Sequence, residues 1–90
     1  MKIAINTCYG GWGLSKGFFE KYPQFKEKST TRNDFEFIKC LEEFGTKEAS
    51  NDYSQISIVE IPDEATDFII NEYDGYESVI YVVNGKIFGI

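Results

Sequence analysis

The chain opens with Lys2 to Thr7 (KIAINT), where Ile3 and Ile5 share one face of a β-branched run, and this pattern predicts a strand. A cluster of glycines ends it at Gly10-Gly11-Trp12-Gly13. Ser15 then has the chemistry of an N-cap for a short helix from Lys16 to Tyr22, with Phe18, Phe19 and Tyr22 around one side and Pro23 as its stop. Residues 24–31 (QFKEKSTT) are polar and read as an exposed connection. The clearest helical spacing follows. Asn33 or Asp34 caps it, Phe35, Ile38, Leu41 and Phe44 recur at threes with Phe37 beside them, and Gly45 stands where a C-cap is wanted.

After a polar loop from Thr46 to Ser54, the run Gln55 to Ile61 (QISIVEI) is apolar on both faces, as a central strand would be. Pro62 and Asp63 turn the chain. Three β-rich runs then follow, Asp67 to Tyr73, Tyr76 to Val83 and Lys86 to Ile90, separated by Asp74-Gly75 and Asn84-Gly85. Those dipeptides supply the positive φ angles that two-residue type I′ hairpins require. The predicted order is therefore β-α-α-β-β-β-β. It describes one α+β domain over residues 1–90: a mixed β-sheet with two helices on one face and a C-terminal β-meander.

Charge changes the picture of partners. The formal net charge is −6, with net +4 over residues 1–32 and net −10 over residues 33–90. A surface of this sign repels phosphates, so direct nucleic-acid binding is disfavoured and a basic protein partner is favoured. The N-terminus lacks the pattern of a secretory signal, and no apolar run approaches the roughly 18 residues of a membrane span. The sequence thus predicts a cytoplasmic chain with no membrane association. Cys8 and Cys40 lie far apart, with no His anywhere in the chain, so free thiols are expected and a metal site is not.

The glycine turn between strand and helix raises the question of an anion. Gly10, Gly11, Gly13, Ser15 and Lys16 can bring backbone N–H groups, a hydroxyl and a cation to one place. The string has neither the P-loop nor the dinucleotide spacing, which leaves a generic anion or nucleotide site as an alternative reading, with Arg32 as a further contact. Cys8 sits just before the turn, where a phosphatase would need Arg six positions later; that position is Leu14. No Cys–His pair is available for acyl transfer. The carboxylates of Glu60, Glu72, Asp74 and Glu77 come from neighbouring predicted strands and read as edge charges that discourage strand pairing. The stronger candidate is aromatic. Tyr9, Trp12, Tyr73, Tyr76 and Tyr81, interleaved with Asp74 and Glu77, have the composition of a protein-binding surface centred on one hairpin tip.

Several strings of the chain, INTCYGGWGLS, Arg32-Asn33-Asp34, LEEFG with KEAS, IVEIP and INEYDGYE, occur together in this order. In these, over about residues 1–77 and not beyond, the sequence resembles a family of small proteins encoded by bacteriophages and prophages. The resemblance implies an accessory gene product acting in the bacterial host and supplies no activity. Together with the lack of a complete catalytic constellation, it leads to the expectation of a non-enzymatic protein without cofactor. Such a protein would bind a host protein through an acidic, aromatic surface, as an inhibitor of host defence or of a nucleic-acid enzyme. The exposed edge at Lys86 to Ile90 leaves both monomer and homodimer open.

Overall fold

The computed structural model describes residues 1–26 and 30–90, so residues 27–29 of the expected polar connection lie outside the described residues. The elements are β1 (Lys2–Asn6), α1 (Lys16–Lys21), a 3-10 turn (Pro23–Phe25), α2 (Phe35–Phe44), α3 (Thr46–Ala49), β2 (Ile56–Glu60), β3 (Asp67–Tyr73), β4 (Tyr76–Val83) and β5 (Lys86–Gly89). The α+β class and the element order are those the sequence predicts, with the 3-10 turn and α3 added. The strands, however, form two antiparallel sheets instead of one mixed sheet: a β1–β2 ribbon and a β3-β4-β5 meander. The reason is that β2 returns alongside β1 in antiparallel register, Ile3 opposite Val59 and Ile5 opposite Ser57. The meander then packs against the face of this ribbon and does not extend its edge.

Three layers result, and the ribbon is the middle one. Ala4, Ile56 and Ile58 face the helices, where they meet Phe18, Phe37 and Leu41. Ile3, Ile5 and Val59 face the meander, where they meet Val79, Phe68, Ile70 and Tyr81. This explains why β2 is apolar on both faces: it is sandwiched between layers, not central within a sheet. Phe18 is fully buried and has the rings of Phe19, Tyr22, Phe25, Phe37 and Phe44 around it at centroid distances of 5.0–6.1 Å. That burial holds α1 in place, since six residues make too few internal hydrogen bonds to be stable alone.

Local chemistry sets the boundaries. The Ser15 hydroxyl accepts the N–H of Phe18 at 3.1 Å, and Asp34, not Asn33, caps α2 by accepting the N–H of Phe37 at 3.0 Å. Gly45 ends α2 with φ of +97°. Phe37, Ile38, Cys40 and Leu41 of α2 are buried, but Phe35, expected in the apolar stripe, is 83% exposed. It occupies the first turn, beside an open groove of about 540 Å³ lined also by Met1, Lys2, Asn33, Ile38, Lys39 and Glu42. In the meander Asp74 and Gly75 have φ of +50° and +89°, and Asn84 and Gly85 have +51° and +76°. Both hairpins are thus type I′, with Tyr73 opposite Tyr76 and Val83 opposite Lys86.

Candidate functional site

Tyr9, the opening glycines, Arg32, Tyr73, Tyr76 and Glu77 come together where the glycine turn, the first meander hairpin and the loop before β2 meet. Two buried polar side chains organise this junction. Asn6 is fully buried at the end of β1; its Nδ2 donates to the carbonyls of Cys8 and Gly75, each at 2.7 Å, and its Oδ1 accepts the N–H of Gln55 at 2.8 Å. One amide therefore ties together three loops. Glu77 is the second, 6% exposed on β4. It takes both guanidinium nitrogens of Arg32, at 2.7 and 3.0 Å, and accepts the N–H of Asn6 at 2.8 Å.

Arg32 completes the arrangement. Its carbonyl accepts the N–H of Ala4 at 2.8 Å and its Nη1 donates to the Ala4 carbonyl at 3.3 Å. The guanidinium carbon lies over the Trp12 ring, 3.5 Å from its centre, in a cation–π contact. The backbone N–H and C=O groups of residues 1, 3, 5 and 7 are directed at β2, so the N–H groups of Ala4 and Asn6 point to the other edge. Arg32 and Glu77 cap that edge. Such a pair closes β1 against further strands while satisfying backbone that would otherwise be buried unpaired. Among the described residues no buried side-chain nitrogen or oxygen lacks a hydrogen-bond partner.

These contacts correct two expectations about the binding surface. Glu77 is buried and ion-paired, so it contributes no exposed charge. Trp12 is half-buried, with Arg32 on its face and Phe37 against its edge at 6.2 Å, so its ring serves packing. Arg32, the further contact of the anion reading, spends its guanidinium on the same pair.

Close approach explains Gly10, Gly13 and Gly75, and a φ of +104° with open space around it explains Gly11. A Cβ on Gly10 would meet the carbonyl of Tyr53, one on Gly13 would meet the Asn51 side chain, and one on Gly75 would lie 2.7 Å from the Gly11 nitrogen and 2.9 Å from the Tyr9 carbonyl. The turn is thus pressed onto the 51–54 loop on one side and onto the Asp74-Gly75 hairpin on the other. Ser15 is fully engaged: its N–H donates to Ala49 at 2.7 Å, its hydroxyl donates to the Glu48 carbonyl at 2.7 Å and also caps α1. Lys16 is exposed at the start of that six-residue helix.

Around this locked junction the tyrosines stand in solvent. Tyr9, Tyr53 and Tyr73 are 69%, 74% and 72% exposed, and Tyr76 is 39% exposed. The rings of Tyr9 and Tyr76 lie 5.3 Å apart and tilted, while Tyr73 is the cross-strand neighbour of Tyr76. Asp52, Glu72 and Asp74 are exposed next to them in the chain. Tyr81 lies instead on the inner face of the meander, half-buried and stacked on Phe88. Tyr53 is the member the sequence reading missed; a single aromatic in an otherwise polar loop was its one signal.

The remaining chemistry-bearing groups do not assemble. Among the described residues no three His, Cys, Asp or Glu side chains converge on a metal site. Glu72 accepts the N–H of Gly75 at 2.8 Å and Asp74 occupies its turn. The Cys8 thiol is half-buried and donates toward Asn6 Oδ1 and the Tyr53 carbonyl, at 3.3 and 3.2 Å. Cys40 is buried in α2, where burial, with Glu36 and Glu43 near, pushes its thiol above the ordinary range. Among the described residues no helix is long and apolar enough to cross a membrane. Scans against protein-family models, curated proteins and solved structures return no match to this chain.

Proposed function

We propose that this protein is a binding module whose working surface is the exposed cluster of Tyr9, Tyr53, Tyr73 and Tyr76 with its flanking carboxylates. The observation that carries this reading is the contrast between the exposed rings and the close-packed, hydrogen-bonded backbone beneath them. Tyrosine supplies large contact area for little side-chain entropy, and here the backbone that bears it is fixed by glycine contacts and by Asn6, which lowers the ordering cost of association. Asp52, Glu72 and Asp74 match a partner with basic groups around an apolar pocket. The resemblance to phage-encoded proteins makes a bacterial host protein the partner class. An acidic face of this kind is suited to occupying a site built for phosphates, as an inhibitor of a nucleic-acid enzyme or a defence factor would.

The test is an affinity titration on a partner captured from bacterial lysate, with Tyr73→Ala, Tyr76→Ala and Phe35→Ala compared with the wild type. Loss of a central tyrosine anchor costs about 2 kcal/mol or more, roughly thirtyfold in Kd. The reading expects that loss at Tyr73 or Tyr76, none at Phe35, and a slower on-rate at higher salt. Equal affinity of all three variants would refute it.

A further inference from the structure

We propose that two copies of this chain associate through β5, forming a two-fold antiparallel pair in which Ile87 lies opposite Gly89 of the second copy and Phe88 sits on the axis. The hydrogen-bond parity of the meander decides which groups of β5 face outward. Val79 and Ile90 exchange N–H···O bonds at 2.9 and 3.4 Å, and the register then places Tyr81 with Phe88 and Val83 with Lys86 as the other bonded pairs. The N–H and C=O groups of Ile87 and Gly89 therefore point away from β4, and among the described residues nothing bonds them. Register 87-to-89 uses all four groups of each strand. Centring the axis on Ile87 would leave Gly89 facing the Asn84-Gly85 turn and halve the bonds.

The side chains fit the same register. Ile87 is 74% exposed on the outer face, and a Cβ at Gly89 would meet nothing within 4 Å, so its own fold leaves room there for an isoleucine from the second copy. On the inner face Phe88 stacks on Tyr81 at 5.5 Å and 19°, and a two-fold axis at Phe88 continues that stack into the second copy. Charge permits the approach: residues 78–90 contain Lys86 and no Asp or Glu, in a chain of net charge −6. The opposite edge of the meander is guarded. There the Asp67 carboxylate accepts the outward N–H of Phe68 at 2.9 Å, and Glu72 adds a second negative charge. Because β5 pairs with residues 80–83, far along β4 from Tyr73 and Tyr76, the dimer leaves the tyrosine cluster free, and either proposal can fail without the other.

Sedimentation velocity from about 10 μM to about 1 mM tests this, a range that brackets weak interfaces of small area. The expected result is a concentration-dependent shift from monomer to dimer that stops at dimer. Ile87→Lys should hold the protein monomeric over the whole range with an unchanged melting temperature, and Gly89→Pro, which removes an outward N–H and none of the bonds to β4, should also hold it monomeric. Phe35→Lys should leave the dimer intact. A monomer at every concentration, growth beyond dimer, a dimer indifferent to both β5 substitutions, or loss of the dimer on Phe35→Lys would each overturn the proposal.

Discussion

Glu77→Ala removes a buried carboxylate that serves two cationic donors and one backbone N–H, and its cost follows from what it strands. The Arg32 guanidinium loses its counter-charge beneath Trp12, and the Asn6 N–H loses its acceptor. Breaking one side of a buried pair costs about 3–5 kcal/mol; because the Arg32 side chain is 22% exposed and can recruit some water, the lower end applies. A domain of this length holds about 5–13 kcal/mol in total, so about 3 kcal/mol is a large share and corresponds to a fall in Tm of about 12 °C or more. Glu77→Gln keeps an oxygen for Asn6 and should cost less. Removing both charges, as Arg32→Met with Glu77→Leu, should be milder than the sum of the single changes by about 1.5 kcal/mol or more. Urea unfolding followed by the fluorescence of Trp12, the single tryptophan, reads the site directly. A Glu77→Ala penalty below about 1 kcal/mol, or strictly additive single changes, would refute the claim that this pair caps β1.

Two further outcomes are expected. Gly75→Ala and Gly85→Ala both force a side chain into positive φ, at +89° and +76°, but only Gly75 has backbone within 3 Å of the new Cβ. Gly85→Ala should therefore cost about 1–2 kcal/mol from strain alone, whereas Gly75→Ala should cost clearly more and alter the Tyr9–Tyr76 contact, as tyrosine ring NMR shifts would register. Equal costs would contradict the packing role. In alkaline solution, burial raises the folded-state values of Cys40 and Tyr22 above their ordinary 9.0 and 10.0. Both groups favour the protonated form when folded, so their stabilisation is complete below those values and is lost as pH climbs through the raised ones. Urea midpoints measured from neutral to alkaline pH should fall in that window, with a shallower fall for Cys40→Ala.

Much of this architecture was legible because it rests on local chemistry. Asp74-Gly75 and Asn84-Gly85 specify their turns by backbone conformation, and Ser15 and the Asp34 region specify helix starts by side-chain acceptors. What was not legible depends on which layer faces which. The apolar run of β2 is the same whether a strand is central in a sheet or sandwiched between layers, and only the packing of the meander decides between them. Glu77 shares its facing with Val79 and Tyr81, a parity that goes unused when it is set among edge charges and on the binding surface, and nothing in the spacing picks Arg32 from nine basic residues as its partner. The spacing of the opening glycines offers an anion site only as an alternative, and it carries no sign that Gly10 makes room for the Tyr53 carbonyl, Gly13 for Asn51, or the hairpin's Gly75 for the backbone of Tyr9 and Gly11. Long-range approach of this kind leaves no periodic trace.

The most direct measurement places a photo-crosslinking phenylalanine analogue at Tyr73, and separately at Phe35, in the protein expressed inside a bacterial host. One discrete protein adduct is expected from position 73, lost when Tyr76→Ala is added, and none from position 35. An adduct confined to position 35, or one at position 73 that persists unchanged with Tyr76→Ala, would contradict the proposed binding surface.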